Sequence, residues 1–309
     1  MSGQAISELR QRMIEDMEGR RLSAATQRFH INSCKRFAAF LGRCPSTATA
    51  DDVRRFQHHL IDEGLSVISR NRVMTGVKFL VRVTLRRLDL ANEIYHLREP
   101  QKIPQVLSRN EVERLLKMAG SVKNRSLLSL AYGCGLRAGE VVRLRAGDID
   151  SAQDVIRIVQ GKGGKDRNVM LPPELLDLLR QWWTERPARS DAGVPPAERW
   201  LFPGIRPGRP LTTRQFSRIF HQSAEAAGIR RPVTLHSLRH SFATHLLERG
   251  TDIRRIQALL GHAKLDSTAR YASVATGLIA GMESPLNAVT GKGRRTKGKQ
   301  TRRKKSEPA

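Results

Sequence analysis

Residues 97–111, Leu97-Arg-Glu-Pro-Gln-Lys-Ile-Pro-Gln-Val-Leu107-Ser108-Arg-Asn-Glu111, divide the chain in two. Pro100 and Pro104 fix φ and remove two backbone donors, and the run has no apolar periodicity, so 97–107 is expected to be an extended linker. Ser108 and Glu111 then stand three apart, the spacing of a capping box, and a new helix is expected to start there. Working outward, this gives a helical domain over 1–96, a second domain over 108–289, and a basic, low-complexity tail over 290–309 that is expected to be disordered.

Upstream, from Ile6 to about Arg87, apolar residues recur every three or four positions with no strand-like alternation. Thr49-Ala-Asp-Asp52, placed before Val53, Phe56 and Leu60, reads as a capping box with Asp in place of Glu. A helix over Val67 to Arg87 combines an apolar stripe (Val73, Val77, Leu80, Val81) with Arg70, Arg72, Lys78, Arg82, Arg86 and Arg87. That basic side is either a DNA-facing surface or a solvated one. Downstream, a helix is expected over about 124–134, then Gly-Cys-Gly-Leu-Arg137, then a helix carrying Glu140. Residues 155–160 and 167–171 read as the strands of a hairpin around the glycine-rich turn 161–166. Further helices are expected over about 173–184, 213–227, 236–249, 252–260 and 265–275, so the fold class is mainly α with a small β-hairpin sheet.

The 309 residues carry 55 Lys and Arg against 29 Asp and Glu, a formal charge of +26 that points to a polyanionic partner. The tail supplies +8 of this and residues 1–290 keep +18, so the folded part is basic as well. The first twenty residues alternate charges as no signal-peptide core would, and the longest charge-free stretch, 271–282, is far too short to span a bilayer. Three cysteines without C-x-x-C spacing argue against a disulfide framework or a thiolate zinc site, and a reducing cytoplasm is expected.

The candidate chemistry lies in the second half. In Leu235-His236-Ser-Leu-Arg239-His240, His236 and Arg239 share one helical face, and guanidinium beside imidazole suits an oxyanion. His236 and His240 at i, i+4 lack any further ligand nearby, and no metal site is expected. Leu260-Gly-His262 and Thr268-Ala-Arg-Tyr271 follow. Of the three tyrosines, Tyr132 reads as core, Tyr95 lies near the linker, and Tyr271 sits among small polar residues.

The ordered set Gly135-Leu-Arg137-Ala-Gly-Glu140, Gly161-Lys162-Gly, His236-Ser-Leu-Arg239, Leu260-Gly-His262 and Tyr271 resembles the tyrosine recombinase, or phage integrase, family in identity, order and spacing over about 106–285. It is similar to integrases of mobile elements and to Xer-type resolvases. The resemblance implies a SAM-like core-binding domain at the N-terminus and a mostly helical catalytic domain after it. It implies a site-specific recombinase that cleaves and rejoins strands through a 3′-phosphotyrosyl intermediate. Tyr271 would be the nucleophile, Arg137 and Arg239 the clamp on the non-bridging oxygens, and Lys162 the general acid, although Lys165 shares its turn. His236 and His262 would hydrogen-bond the phosphate, and Glu140 would orient Arg137 as a structural support.

Since the covalent link conserves the phosphodiester energy, no cofactor is implied. The partners would be duplex DNA bearing a recombination site and further copies of the chain, as a homotetramer on two sites. A topoisomerase of the same chemistry and a non-catalytic DNA-binding regulator are the alternatives. The basic tail reads as an extra DNA-binding arm or a solubilising extension, and 276–290 as the segment that docks on a neighbouring protomer.

Overall fold

The computed structural model describes residues 7–100, 104–159, 166–187 and 193–261. The chain divides into two compact units, Met1–Lys102 and Ile103–Ala309. The helix expected over 265–275, the segment 276–290 and the basic tail lie outside the described residues.

The first unit is a bundle of α1 (Glu8–Gly19), α2 (Ala24–Leu41), α3 (Ala50–Asp62), α4 (Val67–Phe79) and the short α5 (Leu88–Asn92). Each of the first four begins at a Ser or Thr whose side chain accepts a backbone N–H of the first turn: Ser7, Ser23, Thr49 and Ser66. At Thr49 the capping box is complete, because the Asp52 carboxylate accepts from the Thr49 N–H at 2.9 Å. That contact, countered in part by burial, together with Arg43 and Arg55, holds the Asp52 carboxyl well below the usual range. The core is Phe37, Val53, Phe56, Leu60, Met74, Val77, Val81 and Leu90 with their neighbours.

The regular helix expected to run on to Arg87 stops at Phe79. Leu80–Thr84 forms a π-type turn, and Arg86 takes a left-handed φ of 55°. The widened turn divides consecutive side chains between two clusters, with Leu80 on Met13 and Met17 and Val81 in the main core. Of the basic residues on this segment, Arg72 stacks over Phe29 at 4.7 Å, Lys78 donates to the Ile94 carbonyl at 3.0 Å, and Arg87 pairs with Asp89. The chain leaves the unit held by Asn71, whose amide donates to the Leu97 carbonyl (2.8 Å) and accepts from its N–H (3.0 Å).

The second unit contains α6 (Arg109–Lys117), α7 (Val122–Gly133), α8 (Ala138–Val141), strands β1 (Ile149–Asp150), β2 (Val155–Ile158) and β3 (Arg167–Met170), then α9 (Pro173–Glu185), α10 (Thr213–Ala226), α11 (Leu235–Glu248) and α12 (Ile253–Leu260). The capping box at Ser108 and Glu111 is formed, and Glu111 also binds Arg231 at 2.6 Å. Just before it, the Leu107 N–H donates to the buried Ser241 hydroxyl of α11 at 2.8 Å, and the Leu107 side chain lies in the core.

The hairpin pairs Val155 with Met170 and Ile158 with Arg167, and β1 adds a third antiparallel strand through Ile149 opposite Ile156. Ile156, Ile158 and Val169 point into the core, whereas Arg157 faces out and pairs with Asp150. The buried Cys134 thiol, pushed up to about 12 by burial, donates to the Met170 carbonyl at 3.2 Å and ties the end of α7 to β3. A smaller apolar cluster of Phe242, Ala243, Ile256 and Leu260 joins α11 to α12.

The close approach of α2 and α4 depends on Gly76. A Cβ there would lie 2.5 Å from Ser33 Cβ, and Cys34 Sγ already contacts the Gly76 carbonyl at 3.5 Å. We expect Gly76→Ala to destabilise the unit by roughly 1–3 kcal/mol through overpacking. Urea unfolding followed by circular dichroism would read this as a lower midpoint, and an unchanged midpoint would show that the helices separate at no cost.

Candidate active site

The polypeptide reverses direction between α7 and α8 at Gly135. Its φ of +60° favours glycine, and a Cβ there would meet the Phe242 ring at 2.4 Å. This turn buries Leu136 and places Arg137 at the N-cap of α8, three residues before Glu140. The α8 helix is too short to project these groups by itself. The Glu140 carboxylate fixes them by accepting from the Arg137 backbone N–H at 2.8 Å (Oε2) and from its guanidinium at 2.8 Å (Oε1).

Glu140 is the centre of the site. Its side chain is 4% exposed, and Arg167 at the head of β3 grips it with two parallel bonds, Nη1 to Oε1 at 3.0 Å and Nη2 to Oε2 at 2.8 Å. Arg239 Nη1 lies 4.0 Å from Oε2. Burial by itself would push this carboxyl up, but Arg167, the Arg137 N–H and the Arg137 guanidinium overcome it and hold the group at about 2. Glu140 is therefore ionised at neutral pH and serves as a structural support rather than a proton carrier.

Arg239, in the second turn of α11, is 1% exposed. It donates through Nη1 to the Gly135 carbonyl and through Nη2 to the Leu260 carbonyl, both at 2.6 Å. The carbonyls at the end of α12 carry the negative end of that helix, so a guanidinium there is doubly favoured. His236, three residues before Arg239, is exposed in the first turn of α11 with its ring 4.6 Å from that of His240. Arg137 keeps 22% of its side chain exposed.

The structure thus brings Arg137, Glu140 and Arg239 together. Lys162, His262 and Tyr271 lie outside the described residues. Tyr132, read as core, is half-buried with its hydroxyl 3.0 Å from Nδ1 of His245, and burial pushes its pKa up. Tyr95 is an exposed residue of the first unit. Arg167 went unnoticed in the sequence, because an arginine opening a short strand reads equally well as a solvated charge. Among the described residues no group of three or more His, Cys, Asp or Glu side chains is placed to hold a metal ion, and no helix is long and apolar enough to cross a membrane.

Comparison with known proteins identifies the family. Residues 105–277 match the phage integrase family, and 9–88 match the phage integrase N-terminal SAM-like domain. The Sinorhizobium fredii protein y4qK, described as an integrase/recombinase, is 40% identical over 280 residues, 90% of this chain and 88% of that one. Tyrosine recombinase XerA of Thermococcus kodakarensis is 35% identical over 84% of this chain and 87% of its own. Among solved structures, the XerH site-specific recombinase bound to its difH substrate before cleavage is 25% identical, with a TM-score of 0.58 over 81% of this chain and 71% of that one. The two-unit fold and these matches define a tyrosine-type site-specific DNA recombinase. The chain belongs to the phage integrase family.

Glu140 contributes a measurable pH dependence. Its carboxyl titrates near 4.5 when unfolded and at about 2 in the fold, so its stabilisation is complete above the first value and is lost as pH falls through the second. Comparing urea unfolding of the wild type and Glu140→Gln from neutral pH downward, we expect the stability gap to be widest at neutral pH. It should close toward acid by up to about 3 kcal/mol. A gap independent of pH would mean that Glu140 is not held as a carboxylate.

Proposed function

We propose that this recombinase cleaves DNA by attack of Tyr271 on a phosphodiester, forming a 3′-phosphotyrosyl link and releasing a 5′-hydroxyl. The observation that carries the reading is the clustering of Arg137 and Arg239 on one buried carboxylate, which holds two guanidiniums at a fixed separation before DNA arrives. In the transition state the non-bridging oxygens gain negative charge, and donors already in place stabilise it without reorganisation. Arg137 and Arg239 supply that stabilisation. Lys162 protonates the leaving 5′-oxygen, while His236 and His262 hydrogen-bond the phosphate and handle the tyrosine proton.

Strand exchange returns the phosphate to a new 5′-hydroxyl, so no nucleotide or metal cofactor takes part. The working assembly is a homotetramer on two DNA sites, each protomer contacting one half-site. The +26 charge supports the DNA partner, and the pairing of two sites separates this function from one-site relaxation by a topoisomerase.

Tyr271→Phe is expected to bind the recombination site with wild-type affinity and form no covalent complex. The DNA is first recovered by trapping the wild-type protein in denaturant and sequencing what stays attached. A gel-shift titration and a denaturing-gel assay on a nicked duplex of that sequence then provide the two measurements. Covalent complex in the mutant would place the nucleophile elsewhere. In plasmid assays with EDTA present, two-site substrates should recombine, and efficient relaxation of one-site plasmids without recombination would overturn the recombinase reading.

A further inference from the structure

We infer that Arg167 is a positioning residue for DNA cleavage: a latch that fixes Arg137 through Glu140 and, with the same guanidinium, fixes the end of α12. Arg167 is 10% exposed, and all three of its nitrogens are engaged: Nη1 and Nη2 on the two Glu140 oxygens, and Nε on the Leu259 carbonyl at 2.9 Å. A planar fork with a third donor at right distance is something only arginine provides.

Its reach joins three separate parts of the chain. On one side Glu140 relays its position to Arg137. On the other, the carbonyls of Leu259 and Leu260 are taken in succession by Arg167 and Arg239, so the last turn of α12 is fixed by both arginines. Gly261 then leaves the helix with φ +62°, and a Cβ there would lie 3.1 Å from Arg167 Cδ, so the arginine stem also packs on the exit of that helix. The next residue in sequence is His262, and Arg167 itself follows Lys162 by five positions. Arg167 therefore stands at the base of each segment that leads to a group of the cleavage chemistry, with its three guanidinium nitrogens already bonded to Glu140 and Leu259.

A residue that only held the fold together would change stability and leave the bound-state rate alone. One that positions the reacting groups changes the rate at saturating DNA, because a small displacement of an aligned group is costly. Arg167→Lys keeps the charge beside Glu140 and loses the fork and the Leu259 contact, so it separates these roles.

The inference rests on the Tyr271 reading, and the wild-type protein serves as its control: absence of a wild-type covalent complex would count against that reading and not against Arg167. With wild-type cleavage present, we expect Arg167→Lys to be folded by circular dichroism and to bind the recovered duplex within about twofold of wild type. Its single-turnover cleavage rate at saturating DNA should be lower by roughly 10–100-fold. In a Glu140→Gln background the same change should have much less effect, since both act through Arg137. A folded variant cleaving within about twofold of wild type, a loss confined to DNA affinity, or effects that multiply with those of Glu140→Gln would each overturn it. If Arg167→Lys is not folded, Arg167→Gln is assayed in the same way, and failure of both to fold would make Arg167 a stability element only.

Discussion

A single buried carboxylate allows three guanidiniums to converge. Arg137, Arg167 and Arg239 each place a nitrogen within 4.0 Å of a Glu140 oxygen, and opposite unit charges at that distance attract by about 4 kcal/mol at the effective dielectric of a protein site. That attraction offsets the mutual repulsion of the guanidiniums and gives a fixed arrangement, and burial strengthens the effect because little water competes for the bonds. Such a network is a poor way to add stability, since a well-packed apolar cluster of equal volume does as well or better. Its value is geometric: it gathers positive charge in advance at a place where a phosphate has to be held.

The rest of the second unit can be understood as support for this arrangement. Gly135 supplies a carbonyl for Arg239 and, lacking a side chain, lets the Phe242 ring approach its backbone. The α12 helix ends in carbonyls that take both Arg167 and Arg239, so the negative end of that helix and the Glu140 carboxylate face the same guanidiniums. Cys134 bonds the chain before the turn to the end of β3, which sets the strand bearing Arg167 against the loop bearing Arg137. These contacts span separations of up to 134 residues, as between Leu107 and Ser241, so the site forms only as the whole unit closes.

What could be read from the sequence was what local chemistry determines. The capping boxes at Thr49–Asp52 and Ser108–Glu111 form as expected, because their partners are three residues apart and the geometry is set by one helical turn. The hairpin was visible from two short apolar-rich runs separated by glycines. The π-type turn at Leu80–Thr84 was not, because the apolar pattern continues through it and only the demands of two separate clusters require the extra residue. β1 is two residues long and carries no pattern of its own. At the site, the identity of Arg137 and Arg239 was legible in the motifs, yet the burial of Arg239 was not, since helical spacing places it beside His236 without saying which of them faces the core. Arg167 escaped notice for the same reason: its partner is 27 residues away, and nothing local announces the pairing.

Arginine performs two distinct tasks in this chain, and composition reveals only one of them. With 55 basic residues and 29 acidic ones, pairing every acid would still leave the +26 excess, and among the described residues Asp52, Glu111 and Glu140 are already bound by arginines. The excess is a property of the whole sequence. It acts over the Debye length, is screened by salt, and attracts a polyanion of any sequence. The Glu140 network is shielded from that screening by burial. Salt therefore weakens the encounter with DNA while leaving the arrangement of Arg137, Arg167 and Arg239 intact, and the geometry that does the chemistry is separated from the charge that brings the substrate.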